Sequence, residues 1–150
     1  MDLTRRDVLK GGCSGGAVLA CAFLAPAEAS DADQVMEFVG QQIGGVVTAS
    51  DSVHLVMPAT FPTGYTVPME LRVDSPMTRD DHVRRIRVFA PENPIVEVAG
   101  FNFVPGRSVA RVSTRIRLAK PQNVVAVAEM NDGRLLAART WVDVASNGCA

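Results

Sequence analysis

Short segments in which apolar residues occupy every second position restrict the fold of this chain more than any other feature of its sequence. In residues 67–73, Val, Met, Leu and Val alternate with Pro, Glu and Arg. This spacing is typical of a β-strand with one buried and one exposed face. Seven strand-like segments can be recognised, at residues 53–57, 67–73, 85–88, 95–103, 111–118, 124–130 and 135–144.

Turn-forming residues separate these segments, and Asn131-Asp132-Gly133 is the most informative turn, because an Asp-Gly pair between two strands favours a tight hairpin. Residues 30–43 have helical spacing instead. Asp31 and Asp33 favour a helix start, and Gly44 follows the last apolar position. The strand-like segments, the turns between them and the one helical segment together predict a mainly β fold. We expect an immunoglobulin-like antiparallel β-sandwich of about seven strands with one short N-terminal helix.

Length and charge limit the function classes. The chain has 150 residues, enough for one domain, and 15 basic against 16 acidic residues give a net charge of −1. A chain without a strong basic excess is not a general nucleic-acid binder, so we expect no nucleic-acid partner. The sequence contains no phosphate-binding loop, dinucleotide fingerprint or Gly-x-Ser-x-Gly motif.

The N-terminal segment has the layout of an export signal. Arg5 and Arg6 precede an apolar, glycine-rich run, and Ala27-Glu28-Ala29 offers small residues to a signal peptidase. We predict that residues 1–29 form a twin-arginine (Tat) signal peptide that is cleaved after Ala29; a Sec signal is the alternative. The apolar run is too short to span a membrane. The mature protein, without a membrane span, is therefore expected in the periplasm.

The chain has three cysteines, but only one of them lies outside the predicted leader. Cys13 and Cys21 leave with the signal peptide, whereas Cys149 lies beyond the last predicted strand. We predict a sandwich domain over residues 30–144 and a flexible C-terminal arm over residues 145–150. The arm can carry the cysteine up to about 16 Å from the sandwich, since an extended residue spans about 3.3 Å.

The surroundings of Cys149 in the sequence limit its use. Asn147 and Gly148 tolerate unusual backbone angles and are expected to make the arm flexible. A single thiol in an oxidising compartment can serve as an intermolecular disulfide, a covalent carrier, a metal ligand or a nucleophile. A catalytic nucleophile needs an activating group held in place, which a terminal arm is not expected to provide. We therefore predict a protein that is not an enzyme; from the residues alone, a tail cysteine without function is equally open.

Histidines and methionines raise the alternative of a copper or redox-metal site. His54 lies three residues before Met57, while Met69 and His82 follow later in the chain. Neither histidine has a Cys, Asp or Glu partner at the spacing of metal ligands. Both methionines occupy apolar positions of predicted strands, which favours core packing. We therefore predict no metal site and no cofactor.

Arginines dominate the basic residues of the mature chain. Two predicted strands carry them at outward positions, namely Arg85, Arg87, Arg111, Arg115 and Arg117. The first interpretation is a solvated surface with cross-strand ion pairs. The second is a docking surface for an acidic partner.

Several short motifs occur in a characteristic order behind the leader. They are Gly64-Tyr65-Thr66-Val67-Pro68-Met69-Glu70-Leu71, Asn93-Pro94, Thr114-Arg115-Ile116-Arg117-Leu118 and the final Gly148-Cys149. In these motifs, in the leader and in the cysteine near the end, the chain resembles the SoxY family, the sulfur-carrier subunits of the bacterial thiosulfate-oxidising (Sox) system. The resemblance covers the leader and essentially all of the mature chain.

The resemblance implies that Cys149 is the residue to which sulfur compounds are attached. In the family, a cytochrome-type complex joins thiosulfate to this sulfur, a manganese hydrolase releases sulfate, and a molybdenum enzyme oxidises the remaining sulfane. The carrier works as a heterodimer with SoxZ, a second immunoglobulin-like subunit. We therefore expect a SoxZ-like partner and these periplasmic enzymes to interact with this chain.

The end of the chain departs from the family pattern. Family members typically end in Gly-Gly-Cys-Gly-Gly, whereas this sequence reads Ser146-Asn147-Gly148-Cys149-Ala150. The alternatives are therefore a SoxY-like paralogue in another periplasmic oxidation pathway, or a structural interaction module whose cysteine forms only an intermolecular disulfide.

Overall fold

The computed structural model describes residues 31–146 and shows two packed β-sheets with one helix against the larger sheet. Residues 1–30 and 147–150, which include the predicted leader, its cleavage site and Cys149, lie outside the described part. The helix α1 spans Asp31–Ile43. The strands are β1 (Val47–Ala49), β2 (Val53–Val56), β3 (Thr60–Phe61), β4 (Val67–Val73), β5 (Val83–Phe89), β6 (Glu97–Asn102), β7 (Arg111–Ile116), β8 (Gln122–Met130) and β9 (Leu135–Val144).

The larger sheet has the strand order β1-β9-β8-β5-β6, with β3 also paired to β9, and the smaller sheet has the order β2-β4-β7. Strands β1 and β3 pair with β9 in parallel, and the other pairs are antiparallel. The predicted mainly β, immunoglobulin-like sandwich with one short helix is confirmed. The sequence does not predict β1 and β3, because strands of three and two residues are too short to show alternation.

The main core lies between the two sheets. In β4, Val67, Met69 and Leu71 are buried, whereas the alternate residues Glu70 and Arg72 are exposed. Buried side chains of β8 and β5 form the opposite side of this core. Because successive side chains of a strand point to opposite faces, the alternation in the sequence sets which face of β4 packs against the larger sheet.

A second, smaller core lies between α1 and the outer face of the larger sheet. Val39 of the helix is fully buried and packs with Phe89, Val125 and Val127. Strand β8 is therefore apolar on both faces, which explains its nearly continuous hydrophobic sequence. The helix ends before Gly44, which has a φ of 79°, a left-handed conformation suited to glycine. Within residues 31–146 no helix has the length and apolar character required to cross a membrane.

Candidate functional site

The chain leaves the sandwich at the end of β9, where β3 and the turn that follows it hold the last described residues. The Ala145 N–H donates to the carbonyl of Phe61 at 3.1 Å, and the Gly64 N–H donates to the carbonyl of Ser146 at 2.7 Å. The hydroxyl of Ser146 also donates to the carbonyl of Pro62 at 3.3 Å. These hydrogen bonds attach the chain to the sandwich as far as Ser146.

This attachment shortens the predicted arm, which was expected to begin at residue 145. Ala145 and Ser146 belong to the predicted arm but are hydrogen-bonded to the sandwich, so the reach of about 16 Å expected from the sequence is too long. From Ser146 to Cys149 the chain makes three residue steps, which span about 10 Å when fully extended. Asn147, Gly148 and Cys149 lie outside the described residues, and their roles stay predictions.

A buried polar network lies near the point where the chain leaves the sandwich. Gln122 starts β8 opposite Val142 of β9, is 1% exposed, and donates from Nε2 to Oδ1 of Asn93 at 2.9 Å. The same Oδ1 accepts the Ala119 N–H at 2.7 Å, while Nδ2 of Asn93 donates to the carbonyl of Arg117 at 2.8 Å. One asparagine thus joins the loop after β5 to the connection between β7 and β8.

The sequence does not predict this network. Its only signals in the sequence are the prolines next to the two amide residues, in Asn93-Pro94 and Pro121-Gln122. Proline fixes the backbone of a loop but does not reveal which distant loop an amide will contact. The partners are 29 residues apart, beyond the range of any local pattern.

The five outward arginines lie on opposite faces of the sandwich. Arg85 and Arg87 belong to the larger sheet, whereas Arg111 and Arg115 belong to the smaller sheet, with Arg117 just after the end of β7. The hypothesis of one docking surface made by all five is therefore wrong. Alternation places side chains on a face, but it does not show to which sheet a strand belongs.

The arginines of the larger sheet form the cross-strand ion pairs that were expected. Arg85 and Arg87 contact the carboxylate of Glu97 at 3.2 and 2.7 Å, and Arg87 also lies 3.6 Å from Glu129. The hydrogen bond that Arg87 donates to Glu97 is the main reason that the pKa of Glu97 lies below its ordinary value. Desolvation of the carboxylate acts in the opposite direction. The same bond raises the pKa of Arg87. This interpretation is confirmed for Arg85 and Arg87 only.

The structure describes all four residues that were considered for a copper site, His54, Met57, Met69 and His82. Met69 is buried in the main core and Met57 packs against that core, as predicted. His54 Nε2 lies 2.7 Å from Oδ2 of Asp74, and this hydrogen bond is the main reason that the pKa of Asp74 is lowered. The His82 N–H donates to a side-chain oxygen in the β8–β9 turn. Across residues 31–146, no three His, Cys, Asp or Glu side chains are grouped so that they could hold a metal ion.

The sequence and the fold of this chain are similar to those of known sulfur carrier proteins. The family model of the sulfur oxidation protein SoxY matches residues 35–149. The solved structure of the sulfur carrier protein SoxY from Chlorobium limicola f thiosulfatophilum is 27% identical, with a TM-score of 0.60, and the match covers 75% of this chain and 97% of that chain. Fold and sequence together define a β-sandwich of the sulfur-carrier class. The chain belongs to the SoxY family.

The same fold also occurs outside this family. A superoxide reductase (neelaredoxin) from Ignicoccus hospitalis has a TM-score of 0.56 at 19% identity, and the match covers 62% of this chain and 80% of that chain. At this identity the likeness shows the fold alone. No curated protein sequence is significantly similar to the chain.

Proposed function

We propose that this chain is a periplasmic carrier, exported by the Tat route, that binds thiosulfate-derived intermediates covalently on Cys149. It acts as a heterodimer with a SoxZ-like subunit and performs no catalysis itself. The observation that supports this proposal best is the extent of the family match, which continues through the end of β9 to Cys149. The likeness therefore includes the predicted attachment residue as well as the sandwich.

Loading of the carrier is an oxidation. The thiol of Cys149 and one thiosulfate dianion form a disulfide bond between Sγ and the outer thiosulfate sulfur, with release of one proton and two electrons. A cytochrome-type partner accepts the electrons. The thiolate is the reacting form of the cysteine. Hydrolysis of the S–sulfonate bond by a second enzyme then releases sulfate and leaves one sulfane sulfur on Cys149.

The described part of the chain supports a carrier role, in which this protein holds the sulfur compound and separate enzymes react with that compound. Hydrogen bonds from the turn after β3 fix the chain at Ser146, three residues before the thiol. The sandwich thus presents the thiol from a defined point, at a distance of no more than about 10 Å. A short connection of this kind confines the thiol to one end of the sandwich.

The SoxZ-like partner requires a surface close to this end. Three large apolar side chains are exposed there: Tyr65 follows the turn that holds Ser146, Ile95 follows the loop of the polar network, and Trp141 lies opposite Asn123 near the end of β9. Exposed aromatic and aliphatic residues close to a functional group are frequent anchors of protein interfaces. We expect these three residues to become protected from solvent in the heterodimer.

Mass spectrometry of the loaded protein tests the proposal. Mature protein, reduced and then incubated with thiosulfate and a cytochrome-type loading complex, is expected to gain one S₂O₃ group on the peptide that contains Cys149. The variant Cys149→Ala is expected to gain none. If wild-type protein forms instead only a stable cross-link on a non-reducing gel, with no adduct, the chain is an interaction module and the carrier proposal is wrong.

A further inference from the structure

The side of the smaller sheet that points away from the core is open to solvent and rich in basic residues. We call this side of β2, β4 and β7 the outer face; its basic residues are His54, Arg72, Arg111 and Arg115. The three arginines are exposed, and Val56 on the same face is 61% exposed. The larger sheet differs, because α1 packs on part of its outer side.

The strand register places three of these basic side chains in one row across the sheet. His54 of β2 lies opposite Arg72 of β4, and Arg72 lies opposite Arg111 of β7. Side chains that are directly opposite on one face have Cβ atoms about 5 Å apart, and like charges in such pairs destabilise a sheet. The stability of the sheet therefore does not explain the row, whereas a negatively charged partner does.

Carboxylates of the chain compensate this positive charge only at one end of the row. Asp74 Oδ2 lies 2.7 Å from His54 Nε2, and Asp74 Oδ1 lies 3.3 Å from a guanidinium nitrogen of Arg72. Arg111 and Arg115 form no ion pair with any residue of the range 31–146. The whole chain has a net charge of −1, so acidic residues are in excess on its other surfaces. A distribution of this kind attracts an acidic partner to one side of the protein.

The dimensions of the outer face limit the size of such a partner contact. The seven residues of β4 extend over about 23 Å, and three strands about 4.8 Å apart make the face about 14 Å wide. Its area is then about 300 Å², well below the roughly 800 Å² that each partner buries in a stable protein–protein interface. The face therefore fits a short segment of a partner that binds transiently.

We propose that the outer face of the smaller sheet binds an acidic segment of a partner protein, whose carboxylates pair with Arg72, Arg111 and Arg115. A carboxylate accepts two parallel N–H bonds from one guanidinium group, which makes arginine suited to this recognition. Ion pairs that remain exposed are weak, so the contact forms and breaks readily. The inference goes beyond the proposed function, since it needs neither the thiol of Cys149 nor a sulfur compound attached to it.

NMR of the ¹⁵N-labelled mature protein, titrated with an octaglutamate peptide in low salt, tests this inference. The backbone amide signals of β2, β4 and β7 are expected to shift, whereas those of β5, β8 and β9 should stay unchanged. Added salt should weaken binding, because exposed charges are screened beyond about 10 Å at 0.1 M ionic strength. If no signal shifts, or if the shifts are spread equally over both sheets, the inference is wrong.

Charge variants test which residues bind the peptide. Arg111→Gln and Arg115→Gln should each raise the Kd about two- to fivefold, the range of an exposed ion pair. Glu70→Gln removes the only carboxylate within the strands of the outer face and should lower the Kd about twofold. Arg84→Gln is the matched control, because Arg84 is exposed on β5 of the larger sheet; its Kd should equal that of the wild type. Equal weakening by Arg84→Gln and Arg111→Gln would overturn the inference.

Two other occupants of the outer face would give different results. A lipid surface would bind the protein to phosphatidylglycerol vesicles in a sedimentation assay, with loss of binding in Arg111→Gln and no response to the peptide. A second copy of this chain would shift the β2, β4 and β7 signals on dilution, without any peptide. Either result, together with a lack of octaglutamate binding, would contradict the assignment of an acidic protein segment to this face.

Discussion

Replacement of Asn93 by alanine tests whether the buried polar network holds the end of the sandwich together. The side chain of Asn93 is bonded to the Ala119 N–H, the Arg117 carbonyl and Nε2 of Gln122. Without it, Gln122 keeps a second bond, because Nε2 also donates to the carbonyl of Lys120 at 3.2 Å. Two partly buried backbone groups are left without a partner, and each should cost about 1–2 kcal/mol, the lower part of the range for buried groups. The free energy of unfolding should therefore fall by about 2–4 kcal/mol.

Equilibrium unfolding in urea measures this change. A domain of this size is stable by about 5–15 kcal/mol, so Asn93→Ala should fold but unfold at a clearly lower urea concentration. Asn102→Ala is the matched control: Asn102 is exposed on β6, and its loss should change the unfolding free energy by no more than about 0.5 kcal/mol. Equal stability of the two variants would refute the assignment of a structural role to the network.

Three further predictions follow from other parts of the fold. Val39→Ala should lower the unfolding free energy by about 1–3 kcal/mol in urea, because it opens a cavity under α1, whereas Val46→Ala, at an 88% exposed residue, should not. Glu97→Gln should destabilise the protein at pH 7, and the difference in unfolding free energy from wild type should shrink as the pH falls from 5 to 3. The pKa of Glu97 is lowered in the folded state, so its ionised carboxylate stabilises the protein above the unfolded pKa of about 4.3, and this stabilisation is lost in acid. A difference that does not depend on pH would contradict this. Trp141 is the only tryptophan of the sequence and is 54% exposed. Its fluorescence emission should shift to shorter wavelength when the SoxZ-like subunit binds and covers it. Unchanged emission in a formed complex would place the interface elsewhere.

The larger part of the fold can be predicted from the sequence because the alternation of apolar residues is a local signal. The buried face of β4 and the β8–β9 hairpin at Asn131-Asp132-Gly133 follow from residues next to one another in the chain. The parallel pairing of β1 and β3 with β9 cannot be predicted in this way. It depends on contacts between segments 83 to 88 residues apart, which no short pattern records.

The candidate site, too, can be predicted from the sequence only where local patterns record it. The sequence locates Cys149 and identifies its predicted role through the family resemblance. It does not reveal that Ser146 is held by Gly64, or that the arginines of β5 and β7 lie on opposite faces. Both facts depend on how distant segments are arranged. The distance within which the thiol can act therefore follows from the fold rather than from the number of residues after the last predicted strand.

The most direct measurement is thiosulfate-dependent sulfate release in a reconstituted system that contains the loading cytochrome, the sulfate-releasing hydrolase, the SoxZ-like subunit and this chain. With wild-type protein, sulfate should be released with every cycle of loading, and Cys149→Ala should release none. The Arg84→Gln variant, which keeps the thiol and changes a distant charge, should behave like wild type. Sulfate release by Cys149→Ala at the wild-type rate would contradict the claim that Cys149 carries the cargo.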